Sequence, residues 1–364
     1  MAVATALSNV LRGALPSYTR KSRHLQLLMR YAKPAKLANI ARAEWSMARG
    51  DIVSRGRPYV YTIDTGNVCN LRCPLCPTGA QDLQRPQGMM SLATFEHVLD
   101  KIDRWAIEVI LHNWGEPFLN PDILPIIRAA RSRSVGTTIS SHLNLVHRGD
   151  DFLGEVVDSG LDHLTVSLDG TTQDVYETYR RGGNLEAVMH NLSALIEHRR
   201  RARQATPVIE WQFLVMKHNQ HQMDEANRLA AKLGVDRVRF TSAGLPFEDL
   251  DNRRLAAQWM SDLPSYRAYD PEKIHQKGYM FDERCFYLYR AMTVNPNGEV
   301  SPCCVVYHAQ HDFGNLLTDN LDDIWNNRQY KSSRALFSRQ PYAERGGTVC
   351  EACPLFKYES AAKH

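Results

Sequence analysis

The chain has 364 residues, enough for two domains or for one large α/β barrel with an appendage. Hydrophobic residues make up 43% and charged residues 23%, an ordinary globular composition that excludes wholesale disorder. The net charge of +4 is unevenly spread, because residues 1–57 hold eleven Lys and Arg against two acidic residues, a net of +9 that leaves −5 for the remainder. The apolar runs are short and no secretory signal is evident, so we expect a cytoplasmic protein without a nucleic-acid partner.

Residues 1–57 are predicted to form a basic helical extension, since apolar residues recur there at roughly helical spacing. Pro16 and Pro34 divide the segment, and Gly50 and Gly56 end it. We expect this extension to pack on the main domain. A segment that docks on a partner or makes peripheral membrane contact is the alternative.

From Tyr59 onward, short apolar runs typical of strands alternate with helix-like stretches. The predicted strands are 59–64, 107–112, 136–140, 163–168, 208–216 and 237–241. The predicted helices are 91–104, 121–133, 150–159, 172–201 and 219–233. This alternation indicates parallel βαβ units, an α/β fold built as a partial (β/α)6 barrel of the TIM type, and an active site at the carboxyl ends of the strands.

The remainder of the chain is predicted to form a linker and a small cysteine-rich α+β domain. Residues 243–284 are irregular and rich in Pro and Asp. Beyond Cys285, Asn297-Gly298 can supply the turn of a hairpin, and a helix is predicted at 319–337. The predicted domains are therefore 1–57, 58–245, 246–284 (the linker) and 285–364.

Eight cysteines form two groups in a chain without an export signal, which favours metal binding over disulfides. Cys69, Cys73 and Cys76 are spaced C-x3-C-x2-C on the loop after the first predicted strand. Three thiolates on one loop can hold three irons of a 4Fe–4S cube and leave the fourth iron open for a substrate or cofactor. A structural zinc site with a distant fourth ligand is the alternative.

At these residues the sequence resembles the radical S-adenosylmethionine (SAM) superfamily, over residues 58–245. His112–Pro117 (HNWGEP) resembles the Gly-Glu-Pro motif of that family. Ser167–Gly170 (SLDG) and Tyr176–Asn184 (YETYRRGGN) are also similar to family segments. Thr137–Asn144 (TTISSHLN) departs from the T-N-G that relatives often carry, so no specific Asn contact is carried over.

The resemblance implies a set of SAM-binding residues on this loop and the following strands. Leu75 would stand beside the adenine, and Gly115 and Glu116 would hold the methionyl ammonium. Ser167 and Arg180 would contact the ribose and carboxylate end, with Arg181 as the adjacent alternative to Arg180. The remaining residue of the set is Ser140, on the third predicted strand.

The chemistry that the resemblance implies is reductive cleavage of SAM. An electron, supplied by a flavodoxin- or ferredoxin-type donor, would break the C5′–S bond and give a 5′-deoxyadenosyl radical. That radical would abstract hydrogen from a substrate, while the protein orients the reactants and excludes side reactions.

The second group, Cys285, Cys303, Cys304, Cys350 and Cys353, resembles the SPASM/twitch extension that binds auxiliary 4Fe–4S clusters. Its NGEVSPCC hairpin and the segment Phe313–Asn327 carry this likeness. Five cysteines are too few for two auxiliary clusters, and one fully ligated cluster favours Cys285, Cys303, Cys350 and Cys353. Zinc is the alternative metal. Cys304 replaces Cys303 as a ligand, is a spare thiol that returns a hydrogen atom, or is a partly buried residue of the strand with no part in the chemistry. If Cys303 is the ligand, strand alternation would turn Cys304 to the opposite face.

Among functions, the arrangement resembles twitch-type alcohol dehydrogenases of aminocyclitol antibiotic biosynthesis, such as 2-deoxy-scyllo-inosamine dehydrogenase. We therefore expect oxidation of an alcohol in a sugar-like small molecule, with the auxiliary cluster taking an electron. An epimerase, a dehydratase or decarboxylase, and a peptide maturase are the alternatives, and a non-catalytic iron–sulfur carrier is a further class. A maturase is disfavoured by the cysteine count and by an N-terminal segment without the strand pattern of a winged-helix leader-peptide domain.

Substrate contacts are expected from polar residues near the predicted strand ends. These are His112, Asn113, Trp114, His142, Asp169, Lys217, Arg239 and Ser242. Hydroxyl, carboxylate or phosphate groups would suit them.

Overall fold

A computed structural model of the chain describes residues 18–146 and 148–359, so the predicted break at Pro16 lies outside the described residues. Its sheet has eight strands in the order β6-β5-β4-β3-β2-β1-β7-β8. The strands are β1 (Val60–Ile63), β2 (Glu108–Ile110), β3 (Gly136–Ser141), β4 (His163–Ser167), β5 (Val208–Val215), β6 (Arg237–Ser242), β7 (Ala291–Val294) and β8 (Val300–Ser301).

The helices flank this sheet and extend to both ends of the described chain. They are α1 (Tyr18–Tyr31), α2 (Pro34–Arg49), α3 (Leu92–Ile102), α4 (Ile123–Ser132), α5 (Asp150–Asp158), α6 (Gln173–Tyr179), α7 (Leu185–Arg201), α8 (Met223–Leu233), α9 (Arg253–Trp259), α10 (Tyr287–Arg290), α11 (Leu321–Trp325), α12 (Arg328–Ala335) and α13 (Val349–Ala352). Short 3-10 turns are Pro117–Leu119, Gln220–Gln222, Phe247–Asp249, Pro264–Tyr266 and Ala309–His311.

Strands β1 to β6 are parallel to their neighbours and form an open, partial barrel, which confirms the predicted fold class. Their apolar side chains, such as Val109, Leu164 and Trp211, are fully buried. Helices cover these residues, as expected for parallel strands joined by crossover helices. The carboxyl ends of all six strands therefore share one edge, where loops can build a site.

The cysteine-rich C-terminal region continues the same sheet, which the sequence analysis did not predict. Strand β7 pairs in parallel with β1, and β8 returns antiparallel to β7. The predicted hairpin turn is present, with Gly298 at φ 81°, a conformation that glycine adopts without a steric penalty. The second thiol group is thereby fixed beside the first barrel strand.

The N-terminal extension packs across the amino ends of the strands, as expected. Leu27, Tyr31 and Ala43 are buried in a common apolar cluster with Tyr59 and Ile107.

Buried ion pairs reinforce this contact. The Glu44 carboxylate accepts two hydrogen bonds of 2.6 Å from Arg290 and one of 2.7 Å from Tyr59. The extension is therefore part of the wall of the barrel.

Three predicted segments differ from the structure. The predicted helix 172–201 is two helices, α6 and α7, because Gly182 adopts φ 79° in the turn between them. The predicted helix 319–337 is likewise the pair α11 and α12. The predicted linker 246–284 carries α9 and buried residues such as Trp259 and Ile274 that pack against the first cysteine loop.

Within the described residues, no helix is both long enough and apolar enough to cross a membrane.

Candidate active site and iron–sulfur sites

The first cysteine loop leaves the carboxyl end of β1 and is held by its neighbours along the barrel mouth. The Val68 carbonyl accepts from the Glu116 amide at 2.9 Å, and the Arg72 amide donates to the Arg181 carbonyl at 3.0 Å. After β3, the Asn144 carbonyl accepts from the side-chain amide of Asn70 at 2.9 Å. These bonds fix a segment that has no regular secondary structure of its own.

Gly115 is required by the close packing of this loop. A Cβ atom placed on Gly115 would lie 1.8 Å from the Gly66 carbonyl oxygen, so no other residue fits without moving the cysteine loop. The residue thus sets the distance between the Gly-Glu-Pro segment and the cysteine loop.

An apolar cluster surrounds the three thiols. Leu75 and Leu71 are buried in it, and Trp259 and Ile274 from the segment after β6 complete it. Burial of the thiols strengthens their electrostatic interactions, since the local dielectric constant is low. Leu75 is buried within the cysteine loop itself, and its contact with the adenine of SAM stays a prediction.

Cys69 faces the predicted ammonium-binding segment. Its Sγ lies 3.6 Å from His142 Nε2, which is itself 3.2 Å from Glu116 Oε2. The Glu116 carboxylate also accepts from the backbone amides of His142 and Phe118, both at 3.0 Å. Glu116 therefore holds the loop after β3 and the turn after β2 in place through hydrogen bonds, and it also lies close to the first cysteine loop through His142.

Cys73 faces the predicted carboxylate-binding residue. Arg180 Nη1 lies 3.9 Å from Cys73 Sγ, and Asp169 Oδ2 accepts from Arg180 Nε at 2.7 Å. The adjacent Arg181 is exposed, so the structure points Arg180, and not Arg181, toward the thiols. The other predicted contacts, Ser140 and Ser167, lie on neighbouring strands, and a hydrogen bond of 3.0 Å connects their hydroxyl groups.

Two of these thiols, those of Cys69 and Cys73, have raised pKa values. Burial, with smaller contributions from Glu116 and the other two thiols, raises the pKa of Cys69 to about 12. Burial also raises the pKa of Cys73, although Arg180 acts in the opposite direction. A metal that binds such thiols must displace their protons, so its binding is coupled to pH.

The second thiol group is enclosed in an apolar cavity. Cys285, Cys303, Cys350 and Cys353 all line it, together with aromatic residues such as Phe356 and Tyr358. The Tyr358 hydroxyl donates to the Cys350 and Cys353 carbonyls and so holds the C-x2-C turn. Burial raises the pKa of all four thiols, to about 12 for Cys353. Four converging thiols with no charged residue among the lining residues suit a fully ligated cluster.

Cys304 does not line the cavity that these four thiols share, but for a different reason from the one predicted. Strand β8 ends at Ser301, so Cys303 and Cys304 lie in a bend and a turn, and strand alternation does not separate them. Cys304 instead lines the barrel cavity and donates to the Tyr287 hydroxyl at 3.3 Å. The ligand set itself stays a prediction.

A cavity of about 770 Å³ runs along the barrel lumen from α1 to the carboxyl ends of the strands. Near the mouth it is lined by His112, Asn113, Ser140 and Cys304. Its far end is lined by ionisable side chains, which are Arg23, His24, Glu108, Arg239 and Arg290. One wall is aromatic and consists of Phe281, Phe286, Tyr287 and Phe356. A ligand there would meet both charged and apolar groups.

Of the predicted substrate contacts, His112, Asn113 and Arg239 line this cavity. The others do not line it. His142 and Asp169 are paired with Glu116 and Arg180. Lys217 pairs with Asp262 on the surface, Trp114 packs against Tyr307, and Ser242 ends β6.

Sequence reasoning missed the residues that reach the lumen from outside the six predicted strands. Arg23 and His24 come from α1, where His24 Nδ1 lies 3.5 Å from Glu108 Oε2. Phe281 and Tyr287 come from the segment around Cys285. The sequence did contain one signal for them, which is the acidic residue Glu108 within an apolar strand. A buried charge needs a partner, so a basic residue was to be expected nearby.

Comparison with known proteins agrees with this geometry. Residues 63–209 match the radical SAM superfamily, and residues 285–354 match SPASM, an iron–sulfur cluster-binding domain. The chain therefore contains a radical SAM domain followed by a SPASM domain. These domains imply SAM and a 4Fe–4S cluster at each, and the two thiol groups found above fit that requirement.

Several similar curated proteins share most of their length with this chain. They include the tungsten-containing aldehyde ferredoxin oxidoreductase cofactor-modifying protein of Pyrococcus furiosus, 23% identical over 82% of this chain and 89% of the relative. Mycofactocin maturase MftC of Mycobacterium ulcerans is 24% identical over 81% of this chain and 80% of the relative. PqqA peptide cyclase of Ruegeria pomeroyi is 27% identical over 71% of each chain.

Among solved structures, Streptococcus suis SuiB bound to S-adenosylmethionine has a TM-score of 0.60 at 15% identity, over 95% of this chain and 88% of SuiB. This likeness supports the fold. BtrN in complex with AdoMet and 2-DOIA has a TM-score of 0.47 at 14% identity, over 77% of this chain and 86% of BtrN. The curated relatives that cover most of this chain are a cofactor-modifying protein, a maturase and a peptide cyclase.

Proposed function

We propose that the protein is a radical SAM enzyme that modifies a peptide, rather than one that oxidises an alcohol of a sugar-like small molecule. The observation that carries this proposal is the likeness to PqqA peptide cyclase over 71% of both chains, joined by the likeness to a maturase over about four fifths of both. Because these likenesses extend over most of the chain, the peptide-modifying alternative has more support than the dehydrogenase prediction.

The lumen is compatible with a peptide side chain that enters from the barrel mouth. Its volume of about 770 Å³ falls within the range of ligand cavities, which is about 300–1,000 Å³. The aromatic wall offers an apolar contact surface to such a side chain. At the far end, Arg239 and Glu108 could bind a polar group at its tip. A side chain bound there would pass Asn113, Ser140 and Cys304 near the mouth.

Several residues of this chain would prepare the reaction. Arg180 and Ser167 would orient the carboxylate and ribose end of SAM, and Gly115 with Glu116 would receive its ammonium. When bound, SAM and its cluster would supply the radical that removes a hydrogen atom from the substrate. Cys285, Cys303, Cys350 and Cys353 would hold the auxiliary cluster as an electron acceptor, and a flavodoxin- or ferredoxin-type protein would supply the first electron.

The test is a comparison of substrate classes with one preparation. The anaerobically reconstituted enzyme would be given SAM and a reductant, and either short peptides encoded beside its gene or a panel of aminocyclitols and sugar alcohols. We expect 5′-deoxyadenosine above the uncoupled background only with a peptide, and transfer of deuterium from the labelled peptide into it. Turnover with aminocyclitols and none with peptides would contradict the proposal.

A further inference from the structure

A group of metal-ligating side chains outside both thiol groups lies over the barrel mouth. Glu248, His308 and His311 each offer one ligand atom, and these atoms all lie within 4.8 Å of one another. Glu248 belongs to the 3-10 turn Phe247–Asp249 after β6, and the two histidines follow Cys304 in the C-terminal domain. The group thus joins the radical SAM barrel to the cluster domain.

The histidine at the centre of this group is buried and incompletely partnered. His308 is 9% exposed, and within the described part of the chain its Nε2 has no hydrogen-bond partner. Its Nδ1 lies 3.7 Å from Glu248 Oε1, too far for a good hydrogen bond. A buried polar atom without a partner costs free energy, and a metal bound at Nε2 would supply that partner.

The loop that carries both histidines is held in place independently of any metal. Arg85, which is 7% exposed, donates to the Tyr307 carbonyl at 3.0 Å and to both carboxylate oxygens of Asp312 at 2.9 and 3.0 Å. These bonds bracket His308 and His311. A ligand set on an anchored loop loses little freedom when metal binds.

We propose that Glu248, His308 and His311 form a zinc site that ties the loop after β6 to the cluster domain. Two imidazoles and one carboxylate are a common ligand set for zinc, and ligand atoms around tetrahedral zinc are about 3.4 Å apart. The ligand atoms of the three residues now lie up to 4.8 Å apart. Rotation of the exposed Glu248 side chain and the half-buried His311 side chain would bring these atoms to the distance that zinc requires. A fourth coordination position remains for water or a substrate group.

The position of this site connects it to both functional regions. Tyr307 packs edge-on against His308, with ring centroids 4.6 Å apart, and against Trp114, 5.4 Å apart. Phe247, next to Glu248, lines the cavity of the second thiol group. Zinc would therefore fix the loops that separate the auxiliary cluster from the barrel mouth.

The test uses the enzyme with both clusters loaded, desalted and incubated with zinc chloride in slight excess. We expect about one zinc per chain, and a zinc absorption-edge spectrum with only nitrogen and oxygen ligands at about 2.0–2.1 Å. The double variant His308→Ala, His311→Ala should lose this zinc and keep its iron and sulfide. The control His275→Ala, which removes an exposed histidine paired with Asp251, should keep it.

If the double variant loses iron, and is therefore misfolded, the single variant His311→Ala decides, because that side chain is only half-buried. It should weaken zinc binding by about tenfold or more at unchanged iron content. Zinc bound equally by the variants and the wild type, a sulfur shell at about 2.3 Å, or no zinc in the wild type would overturn the proposal.

Discussion

The two thiol groups differ in what surrounds them. The first lies at the barrel mouth, where His142 stands beside Cys69 and Arg180 stands beside Cys73. The second is enclosed by aromatic and aliphatic side chains, with no charged residue among those that line its cavity. A polar edge suits a cluster that must accept a charged cofactor, whereas an apolar enclosure suits a cluster that only exchanges electrons.

The largest expected effect comes from removing the first thiol group. The triple variant of Cys69, Cys73 and Cys76 to Ala should fall from about eight irons per chain to about four and lose all reductive SAM cleavage. Iron analysis measures the cluster content, and an assay for 5′-deoxyadenosine measures the cleavage of SAM. A wild-type preparation that saturates at four irons would contradict the two-cluster account.

The adjacent cysteines Cys303 and Cys304 provide a matched pair for the second group. Cys303→Ala should lose about four irons, because it removes one of the four thiols that share a cavity. Cys304→Ala should keep all of them, because that thiol lines the barrel lumen instead. Iron loss on changing Cys304 alone would show that the ligand of the pair was chosen wrongly.

A smaller effect is expected from the adjacent arginines. Arg180→Gln should weaken SAM binding by about tenfold to a hundredfold, since it removes charge-assisted hydrogen bonds worth about 1.5–3 kcal/mol. Arg181→Gln, at an exposed position, should leave the SAM dissociation constant unchanged. Equal effects in the two variants, measured by equilibrium dialysis at full iron content, would place the SAM carboxylate elsewhere.

The last expected effect is on stability and not on cofactor binding, and it concerns Asp64, which is buried where β1 meets the cysteine loop. Burial raises the pKa of Asp64 from 3.8 to about 7, against hydrogen bonds from backbone amides such as that of Trp114. The folded state therefore holds a proton that the unfolded state has released between about pH 4 and pH 7. Stability should fall as the pH rises through this window, by at most about 1.4 kcal/mol per pH unit, and level off above it.

Asp64→Asn removes this titration, so the gap in melting temperature between pH 5.5 and pH 7.5 should shrink in that variant. Anaerobic thermal unfolding of both proteins at matched iron content measures it. An identical pH dependence in wild type and variant would show that Asp64 is already ionised in the folded protein.

The sequence predicted the parts of the molecule that depend on local pattern. The barrel strands lie within about two residues of their predicted limits, because fully buried parallel strands are continuous apolar runs bounded by turn residues. The first thiol group was found for a similar reason, since its three cysteines lie on one short loop.

Parts that depend on long-range contact were missed. The pairing of β7 with β1 joins residues more than 200 positions apart, and no local pattern specifies it. Likewise, Arg23 and His24 reach the lumen only because α1 packs across the barrel. The turn at Cys303 and Cys304 was misjudged because the segment after Gly298 was taken as one strand through both cysteines, although β8 ends at Ser301, just before Pro302.

The most direct test of the difference between the two thiol groups is electron paramagnetic resonance of the reduced enzyme with and without SAM. We predict two reduced-cluster signals, of which only one changes when SAM is added. The variant that lacks Cys69, Cys73 and Cys76 should retain only the SAM-insensitive signal. A SAM-dependent change in the signal of that variant would contradict the account, because it would mean that the enclosed cluster also has an open iron.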